Sequence, residues 1–365
     1  MTSSTQRLRF LDLPSLIQEN ILKRVDLIDV VSLSFCSTRA SKIINFSRFP
    51  KLRDPKGPLT GGGVHVEFRR GRVTVVFQDQ IPRCTLKIQA SESRQTSPIY
   101  RKVEGFKHSW PFANSDTAIL MESHLVADYS PSQFNEAAKR AIEHICYIFR
   151  LPVIRVSVNV HEILNFTSLF IWDLLRGSCP DVQLHGRKCK IQNSEVRVFF
   201  NRFRIEKRLA LEVENCGGLR FRMDKLQNLD LLVLRNARWM QDHHFEQLNC
   251  EFLEIHKTQI TAGALKKWLH NWTKSSDTKA KVLTVSSRAF SHPLHCNTIL
   301  QGLTYEMHFE GENESIGKFG SFTRPIYPVA PLKRYCRRVF TVIRTDGAVA
   351  KITGTPYFCI YMNYN

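Results

Sequence analysis

The chain has 365 residues, 43% hydrophobic and 23% charged, a composition that excludes a disordered protein and suits two or three globular domains. Its formal net charge of +19 invites an anionic partner. The basic residues are dispersed, however, into small knots: Arg69-Arg70-Gly71-Arg72, Arg202-Phe203-Arg204 with Lys207-Arg208, and Lys333-Arg334 with Arg337-Arg338. Dispersed knots predict solvated faces rather than a track for nucleic acid. No apolar run approaches the roughly 18–20 residues that span a bilayer, and the polar start Met1–Gln6 does not read as a secretory leader. The expectation is a cytoplasmic or nuclear protein without membrane contact. Its ten cysteines form no C-x-x-C pair and read as reduced, buried thiols.

In chain order, Pro14 suits a first helical turn, and Leu13, Ile17, Ile21 and Val25 recur every four residues, flanked by Leu16 and Leu22. Asp26 with Asp29 fits the start of a second helix carrying Val30, Val31, Leu33 and Ser34, and Ser37 the N-cap of a third with Ala40, Ile43 and Ile44. Three short helices in so small a segment cannot bury their own apolar surface, so a partner is expected to cover it. Pro50 to Thr60 reads as a linker, and the Gly61-Gly62-Gly63 run after it as a turn, since no Lys-Ser/Thr pair follows to make a phosphate loop. Val64–Phe68 and Val73–Phe77 flank Arg70-Gly71 as a hairpin, with a further strand at Thr85–Ile88. Residues 91–118 show no period.

Pro131 opens a helix whose apolar side is Phe134, Ala138, Ala141, Ile142, Ile145 and Phe149, ended by Leu151-Pro152. Val153–Val160 alternates as a strand, and a further helix is expected over about 162–176, closed by Gly177. LALEVENC, LLVLRNA and FLEIHKT then each break from a short apolar strand into a polar turn, with Val213, Leu234 and Ile255 spaced by 21 residues and VLTV (282–285) behind them. One strand per roughly 20–29 residues is the leucine-rich-repeat period; an ordinary α/β sheet is the alternative. Asp346-Gly347 between two alternating runs predicts a C-terminal hairpin.

No catalytic motif stands out. His161-Glu162 lacks the second histidine of a zincin, and His243-His244 with Asp242 and Glu246 reads as a solvated face. His292, His295 and Cys296 are close in sequence but lack the paired ligands of a zinc site. The expectation is a non-enzymatic chain with no catalytic residue, no metal and no cofactor.

Leu13-Pro14, Leu16-Ile17, Ile21-Leu22, Asp26, Asp29 and Val30-Val31-Ser32-Leu33-Ser34 resemble an F-box, and more specifically that of the nematode F-box proteins with an F-box-associated domain. The chain departs from that pattern at Gln18, Asn20 and Leu27. Asn236-Ala237-Arg238-Trp239, Leu248, Ile255, Ile260-Thr261, Leu265, Trp268-Leu269 and Trp272 resemble the core of the associated domain, and Ile343-Arg344, Asp346-Gly347 and Ala350 its C-terminal hairpin. The resemblance implies a mixed α+β or α/β chain. It would comprise a three-helix F-box (1–48), a linker and hairpin region (49–130), and a leucine-rich-repeat-like substrate-binding domain with β-hairpins (131–365). It further implies the substrate receptor of an SCF ubiquitin ligase, with a Skp-type adaptor, and through it a cullin, docked on Leu13, Pro14, Leu16, Ile17, Ile21, Leu22, Val30, Val31, Leu33 and Ser34. Cargo, a protein expected to be acidic or phosphorylated, would meet the turn residues Asn215, Arg235, Asn236, His256 and Lys257. The alternative is a basic repeat protein that binds nucleic acid or another anion and has no ligase role.

Overall fold

The computed structural model describes residues 10–25, 27–47, 63–77, 83–90, 100–103, 106–109, 120–127, 131–163, 165–215, 223–274, 279–287, 295–308, 339–354 and 358–363. They fall into two compact units, Met1–Cys179 and Pro180–Asn365.

The first unit begins with three helices, α1 (Ser15–Leu22), α2 (Leu27–Cys36) and α3 (Thr38–Phe46). Ser37 caps α3 as expected, its hydroxyl accepting from the Ala40 N–H at 3.0 Å. Asp26 lies outside the described residues. Gln18, where the family pattern has an aliphatic, is buried, and its amide nitrogen donates to the carbonyls of Phe10 and Leu11, tying the entering turn to α1. The strands follow: β1 (Val64–Arg69), β2 (Arg72–Phe77), β3 (Arg83–Ala90), β4 (Tyr100–Val103), β5 (Phe106–Ser109) and β6 (Leu120–Ala127). After them come α4 (Pro131–Phe149), β7 (Val153–Asn159) and α5 (Phe170–Leu174). The sheet order in this unit is β7-β1-β2-β3-β6-β5-β4, with β1–β7 and β3–β6 parallel and the other pairs antiparallel.

The expected hairpin is present, with Arg69 opposite Arg72 and Gly71 at φ 61° in the turn. Gly63 answers to a close approach: a Cβ there would stand 2.5 Å from the Ile154 side chain and 2.9 Å from the Pro152 carbonyl, where β1 starts beside β7. The helix expected over 162–176 is instead a 3-10 turn at Phe166–Ser168 and the five-residue α5. Local bonds explain the break. The Asn165 and Phe166 carbonyls accept the i+3 N–H groups of Ser168 and Leu169, a 3-10 closure, and each takes a second bond, from the Ser168 hydroxyl and the Trp172 indole N–H respectively. Residues 91–118, which show no period in sequence, contribute β4 and β5.

The second unit contains β8 (Ser178–Lys190), α6 (Asn193–Arg202), β9 (Arg204–Asn215), β10 (Leu231–Leu234), α7 (Asp242–Phe245), β11 (Phe252–Thr258), α8 (Ala262–Lys274) and β12 (Val282–Ser287). It closes with α9 (His295–Leu300), β13 (Glu306–His308), β14 (Val339–Ile343), β15 (Val349–Gly354) and β16 (Phe358–Asn363). The order is β13-β14-β15-β16-β12-β11-β10-β9-β8; β9 to β12 run parallel, and β16 turns the sheet antiparallel.

Register corrects the repeat spacing read from sequence. Leu234 pairs with Leu211, not Val213, and Ile255 pairs with Val285, so the steps are 23, 21 and 30 residues. The side chains of this row are all buried. Apolar residues two apart on a strand share a face, so the period in sequence could slip by two without changing which side is greasy.

The predicted Asp346-Gly347 hairpin forms between β14 and β15. Its Arg344 side chain is buried and binds Asp346 bidentately, Nε to Oδ1 at 2.8 Å and Nη2 to Oδ2 at 2.6 Å, while its guanidinium sits 5.1 Å from the centroid of the fully buried Trp272. Two motifs far apart in sequence thereby become one piece of core.

Candidate docking surfaces

On the three N-terminal helices, the residues expected to face a partner split into two groups. Leu16 is 67% exposed and Ile17 46%, with Pro14 exposed and Leu13, Ile21 and Leu33 half-buried. Exposed large aliphatics side by side on one short helix are the surface that a partner would cover. Leu22, Val30, Val31 and Ser34 are buried within the chain itself. The Ser34 hydroxyl lies 3.3 Å from His144 Nε2, and its carbonyl accepts from the Ser41 hydroxyl at 2.9 Å. α2 rests against β3 and β6, and α3 against α4. Much of the apolar surface of these helices is therefore satisfied inside the first unit; among the described residues, Leu16 and Ile17 on α1 and Phe46 at the end of α3, 79% exposed, stay open.

One joint here was not legible in sequence. The last four carbonyls of a helix lack partners within it. In α4, the Cys146 carbonyl accepts from the Leu151 N–H at 3.2 Å, and the Tyr147 carbonyl accepts from the Asn45 side-chain amide at 2.9 Å. Asn45 is itself buried, near the end of α3. Its carbonyl oxygen receives the Arg150 guanidinium through Nε at 3.1 Å and Nη2 at 2.9 Å. Arg150 has φ 51°, the left-handed position after a helix that glycine usually fills. For an L-residue that conformation costs about 1–2 kcal/mol.

In the second unit, helices and turns separate the parallel strands, and Glu212 on β9, Arg235 just past the end of β10, and Glu254 and His256 on β11 form a cluster. Arg235 Nη1 is 2.9 Å from Glu254 Oε1, and its Nε is 4.0 Å from Glu212 Oε2. His256 Nε2 lies 2.6 Å from Glu254 Oε1 and 3.3 Å from Arg235 Nη1. A guanidinium only donates, so the shorter contact assigns Nε2–H to Glu254 and leaves Arg235 beside the ring without a hydrogen bond. Burial pushes the Glu254 carboxyl up, but the bond from His256 and the positive charge of Arg235 outweigh it and hold the group below the usual carboxylate range.

Of the turn residues expected to recur at one position, the structure brings together Arg235 and His256. Asn236 is buried, Lys257 is exposed at φ 55°, and the side chain of Asn215 is outside the described residues. Arg235 is partly exposed and shares its charge with the Glu254 and Glu212 carboxylates.

The sequence-level candidates for chemistry resolve into structure. Asp242 accepts from the Thr261 N–H at 2.8 Å and from its hydroxyl at 2.7 Å, and Thr261 in turn caps α8 through the Ala264 N–H. Glu246 pairs with Lys267 at 2.9 Å. The His243 and His244 rings stack at 3.8 Å, and burial, then the neighbouring His243, depress the His244 pKa. Among the described residues no cluster of His, Cys, Asp or Glu is grouped to hold a metal. His292 and the side chain of His295 lie outside those residues.

Comparison with known proteins adds the following. Residues 10–52 match the F-box domain. An F-box implies docking to a Skp-type adaptor in SCF-type ubiquitin ligases, and proteins that carry one are generally non-catalytic adaptor subunits. Two Caenorhabditis elegans proteins are similar over longer stretches. Uncharacterized protein F59B2.9 is 24% identical over 279 residues, 75% of this chain and 60% of that protein, so the chain spans less than two thirds of its length. Uncharacterized protein F54H12.5 is 21% identical over 299 residues, 81% of this chain and 78% of its own. No solved structure matches.

Proposed function

We propose that this chain is the substrate-recognition subunit of an SCF-type ubiquitin ligase. It docks a Skp-type adaptor, and through it a cullin, on the α1 patch, and holds a protein substrate on its second unit. The observation that carries the reading is the F-box at residues 10–52, where Leu16 and Ile17 stand exposed on the first helix. Apolar side chains seated in a partner's groove fit that exposure. The chain supplies proximity, and the covalent chemistry belongs to other subunits.

For the region behind the F-box we infer an F-box-associated, leucine-rich-repeat-like domain. Parallel strands β9 to β12 alternating with turns and short helices support it, as does the joining of the tryptophan-bearing α8 to the Arg344–Asp346 hairpin. Cargo is proposed to meet the strand-end surface around Arg235, His256 and Lys257. We place the protein in the cytoplasm or nucleus; five of its thiols are unbridged among the described residues, and no described helix is long and apolar enough to cross a membrane.

The test is affinity purification of the full chain from cells, wild type against Leu16→Lys/Ile17→Lys, with mass spectrometry of the eluates. The wild type should bring down a Skp-type adaptor and a cullin, and the double variant neither. Charge reversal at Arg235 and Lys257 should lower cargo recovery and leave the adaptor unchanged. A wild-type eluate without adaptor would overturn the reading. Retention on nucleic acid that survives physiological salt would favour the basic repeat alternative.

A further inference from the structure

We propose that Asn45 and Arg150 form a clamp that fixes the three N-terminal helices at one angle on the rest of the first unit, so that the adaptor-docking patch is carried on a rigid body rather than on a swinging module. Asn45 reaches from α3 to α4 with both ends of its amide: the nitrogen donates to the Tyr147 carbonyl at 2.9 Å, and the oxygen accepts two guanidinium bonds from Arg150 at 3.1 and 2.9 Å. The donor-only guanidinium on one side and the carbonyl on the other fix which way this amide points. A second line of contact runs beside it, where the Phe35 and His144 rings lie 4.5 Å apart and His144 Nε2 sits 3.3 Å from the Ser34 hydroxyl. The two lines tie both α2 and α3 to α4, and α2 also rests against β3 and β6, so the axis that two attachments alone would leave free is blocked by a third.

The backbone of Arg150 points to the same role. At φ 51°, following a helix closed by the Leu151 N–H to Cys146 carbonyl bond, glycine would be the relaxed choice. An arginine held there keeps a strained backbone and gains a bidentate hold on Asn45. Strain retained at a position whose side chain bridges two helices marks a positioning residue. The consequence for ligase geometry rests on the proposed adaptor docking: the clamp would set the span between the adaptor and the first-unit sheet.

The closing experiment uses the full chain with spin labels on non-canonical residues at Asn20, exposed on α1, and Arg70, exposed at the β1–β2 turn. Pulsed electron–electron resonance then gives the distance distribution between them. The wild type should show one narrow distribution. Arg150→Gly relieves the backbone and removes the side chain that holds Asn45, so hydrogen exchange at the end of α4 should hold or slow while the distribution broadens. Asn45→Ala should broaden it too, and the double variant should be no broader than the broader single, because both remove one joint. Adaptor affinity should stay within about twofold in Arg150→Gly, since Leu16 and Ile17 are untouched. If Arg150→Gly leaves the distribution as narrow as the wild type, Arg150 only ends its helix and the clamp is overturned. A wild type that binds no adaptor would overturn the ligase reading, while the distance distributions would still decide the clamp.

Discussion

Replacing Trp272 by leucine should loosen the C-terminal hairpin as well as the helix that carries the tryptophan. The indole is fully buried in α8, and the buried Arg344 guanidinium lies 5.1 Å from its centroid. Truncating a buried tryptophan to alanine costs about 3–5 kcal/mol, and leucine refills part of the space, leaving about 2–3 kcal/mol. A desolvated cation–π contact adds about 1–2 kcal/mol. The sum, about 3–5 kcal/mol, is a large fraction of the stability of an ordinary domain and should lower its melting temperature by roughly 6–20 °C. Hydrogen exchange read by mass spectrometry is the assay, because it separates local from global loss. Peptides from α8 and from residues 339–354 should lose protection together, and Trp268→Leu, at a half-buried site, should do less. Loss confined to α8, with the hairpin as protected as before, would refute the coupling.

Asp346 should make that hairpin sensitive to acid. The Arg344 side chain, helped by the Ala348 N–H, holds its carboxyl at about 2. A depressed carboxyl contributes stability above its unfolded value near 4, lost as pH falls toward 2; Asp346→Asn should flatten the hairpin's exchange profile across that window. Burial, with Glu143 nearby, pushes the Cys146 thiol to about 12, and burial likewise takes Cys250 to about 12. Both should therefore resist maleimide at neutral pH in the native chain and react once it is unfolded, as read by peptide mapping. Asp242→Ala frees the Thr261 N–H and hydroxyl and should destabilise the start of α8 by about 1 kcal/mol, measured by urea denaturation of the second unit's signal.

Period and capping in the sequence were informative wherever local chemistry decides the outcome. Ser37, Pro131, Arg70-Gly71 and Asp346-Gly347 each mark the boundary or turn that forms, because a cap or a tight turn is set within a few residues. The strands of the second unit were also visible, but not their alignment: a buried row tolerates a shift by two, and only pairing shows that Leu211 stands beside Leu234. β4 and β5 carry little alternation, and their pairing with β6 depends on neighbours distant from any local pattern. At the three N-terminal helices, sequence identified the apolar stripe and could not divide it. Leu16 is exposed and Leu22 buried because α1 rests against α3, a tertiary fact with no trace in the local sequence pattern. Asn45 and Arg150 were invisible for the same reason, being ordinary polar residues 105 positions apart.

The account stands most directly on adaptor binding at α1, and calorimetric titration of the full chain with a purified Skp-type adaptor measures it. Fully burying a leucine or isoleucine side chain is worth about 1.5–3 kcal/mol. With 67% of Leu16 and 46% of Ile17 exposed and available to a partner, about 2–3 kcal/mol is at stake. Leu16→Ala/Ile17→Ala should then weaken binding roughly 30- to 150-fold, with only a small fall in the chain's melting temperature, because each side chain is only partly covered by the chain itself. Wild-type affinity in that double variant, or no binding by the wild type, would contradict the account.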